Sequence, residues 1–332
     1  MQELIQKLPK IELHSHLEGT IKPDVAQEIA RRNSVSLDKN LFLENGSYAW
    51  SDFSNFLTAY DSVSSCLRSG KDYKDITYEY LKECAKENVI YAETFISPDH
   101  ASECGIPYDD MISGIVSGID DAERDFGIIG RIIVTCVRHL GPKQGLNVVQ
   151  TMVNNPHPYI VGFGMGGDEN AFTLEEFTPV YKVAEEAGYE CTVHAGEICG
   201  PESVWDAINY LPVSRIGHGV NSFKDEKLMN ELLKRNIHLE ICPGSNLALS
   251  IFPNWDAHPL PEIMNKSISI SLNSDDPPFF NTTVGQEYQN SAKNFNLDIE
   301  DLKKISLMAM RASFTNSKIK TLLIEKIQKF KS

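Results

Sequence analysis

Eight times along the chain a short apolar run is followed by a longer stretch of helical periodicity, and this alternation restricts the fold more than any other feature. Repeated βαβ order calls for a parallel sheet covered by helices. The expected strands are residues 11–17, 89–97, 131–138, 159–165, 190–195, 215–219, 238–242 and 268–273, with helical stretches such as 173–187, 202–210 and 225–234 between them. Eight such units favour an α/β fold of the closed TIM (β/α)8 barrel type, which fills about 250 residues and accepts insertions. Spacing alone leaves an open doubly wound sheet possible. The 332 residues are read as a single barrel domain spanning 1–332. The surplus falls in 33–73, too long for a βα connection and expected to add helices over the barrel mouth, and in 298–330. That tail is expected to form two or three amphipathic helices on the exterior, with Leu302, Ile305, Leu307 and Met308 on one side.

Hydrophobic residues make up 42% of the chain and charged residues 23%, and no linker-like tract interrupts them, so a large core is expected. The formal net charge of -15 repels phosphate backbones and anionic lipid, which argues against a nucleic acid polymer or a membrane as partner. The start, Met1-Gln2-Glu3-Leu4-Ile5, lacks the pattern of a secretory signal, and no stretch approaches about 18 apolar residues, so a cytoplasmic location is expected. Cys66, Cys84, Cys104, Cys136, Cys191, Cys199 and Cys242 are odd in number and scattered, without a CxxC pair. They are read as reduced thiols, with Cys191 and Cys242 as small buried hydrophobes rather than metal thiolates.

Barrel enzymes carry their chemistry at the C-terminal ends of the strands. His14 and His16 close the first run, Gly166-Gly167-Asp168 follow the fourth, His194 and Glu197 the fifth, His218 the sixth, and Asp275-Asp276 the eighth. Two histidines two apart on an extended strand project to one face and can converge on one ion, although alone such a pair is as readily satisfied by local hydrogen bonds. With the further strand-end donors, His14, His16, His194 and Asp275 make a set suited to zinc. Four protein ligands normally close a structural site, so catalysis requires a fifth position for water. A second metal in such barrels calls for a bridging lysine after the fourth strand, where this chain has Met165-Gly166-Gly167-Asp168, so one Zn2+ per chain is expected. His100, His139, His157, His238 and His258 lie without a converging partner and are read as structural, and Glu202 as a carboxylate at a helix N-terminus.

These residues fall into blocks. Pro9-Lys10-Ile11-Glu12-Leu13-His14-Ser15-His16-Leu17-Glu18-Gly19, Thr192-Val193-His194-Ala195-Gly196-Glu197, Arg215-Ile216-Gly217-His218-Gly219 and Ser271-Leu272-Asn273-Ser274-Asp275-Asp276-Pro277 resemble, in order and over nearly the whole chain, the signatures of the adenosine and adenine deaminases of the amidohydrolase superfamily. The resemblance implies hydrolytic removal of ammonia from a 6-aminopurine, with the zinc activating a water for attack on C6. It implies that Glu197 protonates N1, which requires a pKa raised by burial, and that His218 and Asp275 orient the water, take its proton and stabilise developing charge. Asp276 would meet N7 and the Gly167 N–H would meet N3, while the glycines flanking His218 suit the close approach of a ligand. Glu18 stands near the ribose end, and Ser97 either reaches a ribose hydroxyl or is a solvated loop serine.

For the substrate, Gly166-Gly167-Asp168-Glu169 is similar to the adenosine deaminase pattern, and Gly217 stands where adenine deaminases tend to carry aspartate. Adenosine or 2′-deoxyadenosine is therefore the expected substrate. Adenine itself, aminodeoxyfutalosine or an N6-modified adenine are the alternatives within the family. Outside it stands a metal-binding or regulatory barrel without activity, against which Glu197 and His218 speak, since neither is needed merely to hold zinc. A cytidine-type zinc deaminase is disfavoured because its HxE and PCxxC signature is missing.

Overall fold

The apolar runs become strands buried on both faces, as a parallel sheet covered by helices requires. In the computed structural model, which describes residues 1–331, these are β1 (Lys10–Glu12), β2 (Val89–Ile96), β3 (Ile129–Val137), β4 (Ile160–Gly166), β5 (Glu190–Cys191), β6 (His194–Ala195), β7 (Arg215–His218), β8 (His238–Ile241) and β9 (Ser269–Leu272). Every ladder is parallel, in sequence order from β1 to β5 and from β6 to β9.

The expected fifth strand is divided between β5 and β6. At the break the Thr192 carbonyl accepts from the Tyr181 hydroxyl at 2.8 Å. Its own N–H still reaches Phe163 O at 3.0 Å on the β4 side, while Gly217 N reaches Val193 O at 2.8 Å on the β7 side. One barrel position is thus made of two half-strands.

The first strand is shorter than the apolar pattern suggested. After Glu12 the ladder stops, because Leu13 N donates to the Asn273 side-chain oxygen at 3.0 Å and His14 N to Glu12 Oε1 at 3.3 Å. The chain then rejoins its neighbours through Asp275 N to His14 O, His16 N to Asp275 O and Leu17 N to Phe95 O. The first two bonds join the first strand to the last and the third joins it to β2, as in a (β/α)8 barrel.

Residues 33–73 do add a helix over the mouth, Phe53–Ser64, whose N-terminus is capped by the Asp52 side chain accepting from Asn55 N at 2.9 Å. Its inner face buries Phe56, Ala59, Tyr60 and Val63. The tail forms two helices, Ile299–Ala312, started by an Asp298/Asp301 capping box, and Ser317–Lys329. The buried stripe of the first is Ile299, Leu302, Ile305, Ser306, Ala309 and Met310. Leu307 and Met308 flank that stripe, partly buried, and pack against the core from its edges. All seven cysteines are free thiols, Cys104 and Cys199 being partly exposed. No helix among the described residues is long and apolar enough to cross a membrane.

Inside the barrel Arg215 is almost fully buried between two carboxylates, with Nη1 2.5 Å from Glu93 Oε2 and Nε 2.6 Å from Glu240 Oε1, and its guanidinium 3.7 Å from the centre of the Phe314 ring. Removing the cation would strand two buried charges. Arg215→Met is therefore expected to lower stability by about 3–5 kcal/mol, read from the urea midpoint, whereas a loss below about 1 kcal/mol would place this triad among weak surface-like pairs.

Candidate active site

The C-terminal strand ends open onto a cavity of about 710 Å3, its open mouth included. His16, His194, Glu197, His218, Asp275 and Asp276 form its floor, and Gly167, Glu18 and Ser97 also line it. His14 lies just beneath, fully buried. The structure therefore gathers every residue expected at the site around one place.

The imidazole nitrogens face inward because their other nitrogens are engaged. His14 Nδ1 donates to Glu240 Oε2 at 2.7 Å, and His194 Nδ1 to the Met165 carbonyl at 2.8 Å. Each Nε2 therefore keeps a free lone pair, the arrangement that a metal-binding histidine needs. His16 Nε2 lies 3.1 Å from His194 Nε2 and 3.4 Å from Asp275 Oδ1, and His14 Nε2 lies 3.6 Å from the same oxygen. His14 Nε2 has no hydrogen-bond partner among the described residues although it is buried. Lone pairs of neutral imidazoles converging on a carboxylate lack anything positive between them, so these donors fit a divalent ion. The compact donor groups that could hold one are His14, His194, His218 and Asp275, and His16, Asp275 and Asp276. The expected set thus straddles two groups that share Asp275.

Burial and the neighbouring imidazoles keep His14, His16 and His218 well below the ordinary histidine range, in the neutral form. Burial, then the Asp275 and Glu169 carboxylates, push Glu197 well above its usual value. Asp276 is raised likewise, by burial and then by Asp275. Burial raises Asp275 as well, a direction that a cation at its oxygens would reverse.

Backbone geometry is specialised here. His218 and Asp275 adopt left-handed φ angles of 60° and 62°, unusual for residues with a side chain and costing about 1–3 kcal/mol each. Gly217 is needed for packing, since a Cβ there would lie 2.8 Å from His14 Cε1. What approaches this glycine is therefore a protein side chain, not the ligand that was expected. Gly19 similarly admits the Asp276 carboxylate, whose Oδ1 would lie 1.7 Å from an added Cβ.

Several functional side chains were not anticipated. Glu169 accepts from the backbone N–H groups of Gly196, Glu197, Ile198 and Cys199 and from Ser203 Oγ, fixing the loop that carries Glu197. Glu240 orients His14. His258 and Asn246 stand behind His218, and His100 and His139 line the cavity, His100 with Asp61 3.0 Å away. The view of His100 and His258 as lacking partners is corrected accordingly. A charged residue in the middle of a doubly covered strand was the available signal for Glu240, as such a strand has no wet face.

Removal of the Glu240 carboxylate should loosen His14 and weaken metal binding. Glu240→Gln is expected to lower zinc affinity by about 10–100-fold, measured by competition with a chromophoric chelator; unchanged affinity would mean that His14 needs no such support.

The adenosine deaminase family model matches residues 9–330. A curated adenine deaminase from Agrobacterium fabrum is 37% identical over 320 residues, covering 96% of this chain and 98% of the relative. Among solved structures, an adenine deaminase from Arthrobacter aurescens superposes with a TM-score of 0.91 at 27% identity, over 97% of this chain and 99% of that one. An amidohydrolase from B. ambifaria with bound zinc gives 0.90 at 27% identity, over 98% and 91%. With this fold, and with histidines and carboxylates converging at its strand ends, the chain belongs to the adenosine deaminase family and is a hydrolase acting on the C–N bond of a purine amidine.

Proposed function

We propose that this protein is an adenine deaminase, converting adenine and water to hypoxanthine and ammonia, with residues 1–332 acting as one catalytic domain in the cytoplasm. The observation that carries this reading is the likeness over nearly full length to proteins named adenine deaminase. It replaces the nucleoside expectation, which leaned on Gly217 and the fourth-strand glycines. Gly217 is fixed by His14, and a Cβ at Gly166 would sit 3.3 Å from His194 Cε1, so their identities reflect packing rather than substrate. Glu18, the group nearest a ribose in the sequence reading, already accepts from Tyr73 OH at 3.2 Å, Tyr60 OH at 3.3 Å and Ser97 N at 3.4 Å. Its acceptor capacity is largely committed without a sugar.

One Zn2+ would be held by His14, His16, His194 and Asp275. When bound it supplies Lewis-acid activation of a water near neutral pH. Glu197, protonated through burial, donates its hydrogen to N1 as C6 is attacked, so the ring nitrogen never carries unbalanced charge. Asp275 and His218 flank the attacking oxygen and orient it; Asp275 accepts the proton it releases, which leaves with the amino group as ammonia, and His218 stabilises the charge that develops. Asp276, also protonated, can donate to N7, and the Gly167 N–H to N3. Buried atoms without a protein partner support this assignment: Glu197 Oε1, Asp276 Oδ1 and Ser97 Oγ all border the cavity.

Turnover of adenine, adenosine, 2′-deoxyadenosine, aminodeoxyfutalosine and N6-methyladenine by zinc-loaded protein tests the substrate. Adenine is expected to lead adenosine by more than about tenfold in kcat/KM, or 1.4 kcal/mol; the opposite order restores the nucleoside, and no ammonia from any purine leaves a metal-binding barrel.

Glu197 must hold its proton to act, and burial raises its pKa, so kcat should fall as pH rises, at a higher pH than an ordinary carboxyl would allow. Glu197→Gln should lower kcat by about 10²–10⁴-fold and abolish the alkaline limb. Intact ammonia release in that variant would remove Glu197 from the mechanism.

A further inference from the structure

A neutral imidazole can donate from one nitrogen only, and which one is decided by what its other nitrogen meets. For His218 the decision is made two side chains away. Leu260 N–H donates to His258 Nδ1 at 3.2 Å. Burial lowers His258 to about 3, so the ring is neutral at any working pH, and with Nδ1 accepting, its hydrogen sits on Nε2. That nitrogen is 3.2 Å from Asn246 Oδ1. The Asn246 amide is thereby oriented, with Nδ2 facing His218 Nδ1 at 3.4 Å. An amide nitrogen only donates, so His218 Nδ1 accepts.

Inverting any link would set donor against donor in a buried place. Asn246 is 0% exposed and His258 2%. The His258 ring is boxed by Phe252 and Phe295, with centroids 5.1 Å and 5.7 Å away. The chain of bonds starts from a backbone N–H, which has no alternative tautomer.

We infer that His258, acting through Asn246, is a positioning residue that holds His218 in its Nε2–H tautomer, making His218 a hydrogen-bond donor to the reacting centre rather than a metal ligand or a base. This chooses between the two donor groups: a nitrogen carrying hydrogen cannot ligate, so His218 leaves the first and His16 completes the set. It also divides the proton traffic. His218 Nε2 lies 3.8 Å from Asp275 Oδ2, so Asp275 takes the hydrogen released by the attacking water while His218 donates to the oxygen. His218 Nδ1 also lies 3.5 Å from Glu197 Oε1, but its one lone pair is taken by Asn246, so the Glu197 proton stays free for the substrate.

Only the catalytic consequence rests on the adenine deaminase reading, and the test separates the two. Zinc-loaded protein labelled with 15N-histidine gives the ring pattern of His218, identified by its loss in His218→Asn. The wild type is expected to show the Nε2–H tautomer. Asn246→Asp, which sets a carboxylate against Nδ1, should convert it to Nδ1–H, and His258→Phe should mix the forms. With adenine, both variants should lose about 10²-fold in kcat with KM within about threefold. His258→Gln, whose amide can accept from Leu260 and donate to Asn246, should recover both readouts. A wild-type Nδ1–H pattern, or an unaltered pattern in Asn246→Asp, overturns the inference. Should His258→Phe fail to fold, the isosteric Asn246→Asp decides. If the wild type leaves adenine untouched, the deaminase reading falls while the nitrogen spectrum still judges the relay.

Discussion

A single carboxylate inside the barrel, that of Glu240, ties the stability of the fold to the readiness of the site. Its oxygens meet His14 Nδ1 at 2.7 Å, Thr192 Oγ1 at 2.9 Å and Arg215 Nε at 2.6 Å, and so link β8 to β7, to the break between β5 and β6, and to the chain leaving β1. A charge this deep survives only when paired, which Arg215 provides. Arg215 is shared with Glu93, so the triad carries one net negative charge beneath a cluster of neutral imidazoles. The interior is thereby biased toward a cation before any ligand atom is counted. Such buried pairs seldom stabilise more than apolar packing would; here the return is an imidazole held with its Nε2 lone pair aimed upward.

The parts of the fold that were legible in the sequence are those where side-chain pattern and backbone pairing agree. Strands β2, β3 and β4 sit where continuous apolar runs placed them, because their ladders run on through the register shifts at Lys10/Ile11 and Ile132/Ile133. The first and fifth strands departed from their patterns where a side chain, Asn273 or Tyr181, takes a backbone group that the ladder would otherwise use. Apolarity does not register that competition. In the site, residues at strand ends stood out because hydrophobic order could not account for them. Supporting residues were harder: Glu169 is the last residue of a motif that was read for substrate choice, although its work is to hold four consecutive N–H groups. His258 showed nothing locally, since its meaning lies in Asn246, twelve positions away, and in His218 at the end of β7.

The positive φ angle at His218 coincides with the end of β7, and Asp275 turns left-handed three residues past the end of β9. A strand that continued would point these side chains alternately inward and outward along the wall. The left-handed turn instead swings each onto the rim, and cross-strand bonds retain it: Gly219 N to Ala195 O at 3.0 Å, and Asp275 N to His14 O at 3.0 Å. The strain at Asp275 is thus carried by the bonds that join the first strand to the last, and that at His218 by the pairing of β7 with β6. Chemistry on rigid strand ends and access through the Phe53–Ser64 helix are built from separate parts of the chain, which lets the pocket change without disturbing the acid.

The proton inventory of the proposed site also accounts for direction. Free adenine offers acceptors at N1, N3 and N7, and in the proposed assignment three donors would face them: the Glu197 carboxyl, the Gly167 N–H and the Asp276 carboxyl, burial raising the pKa of both acids. Hypoxanthine differs in carrying hydrogen at N1. Before reaction a protonated Glu197 would oppose that hydrogen; after it, having given its proton away, Glu197 is an acceptor and matches. Reprotonation of Glu197 then sets donor against donor again and favours release. A carboxyl whose charge is costly in its surroundings regains its proton readily, so the burial that makes Glu197 an acid also resets it for the next substrate.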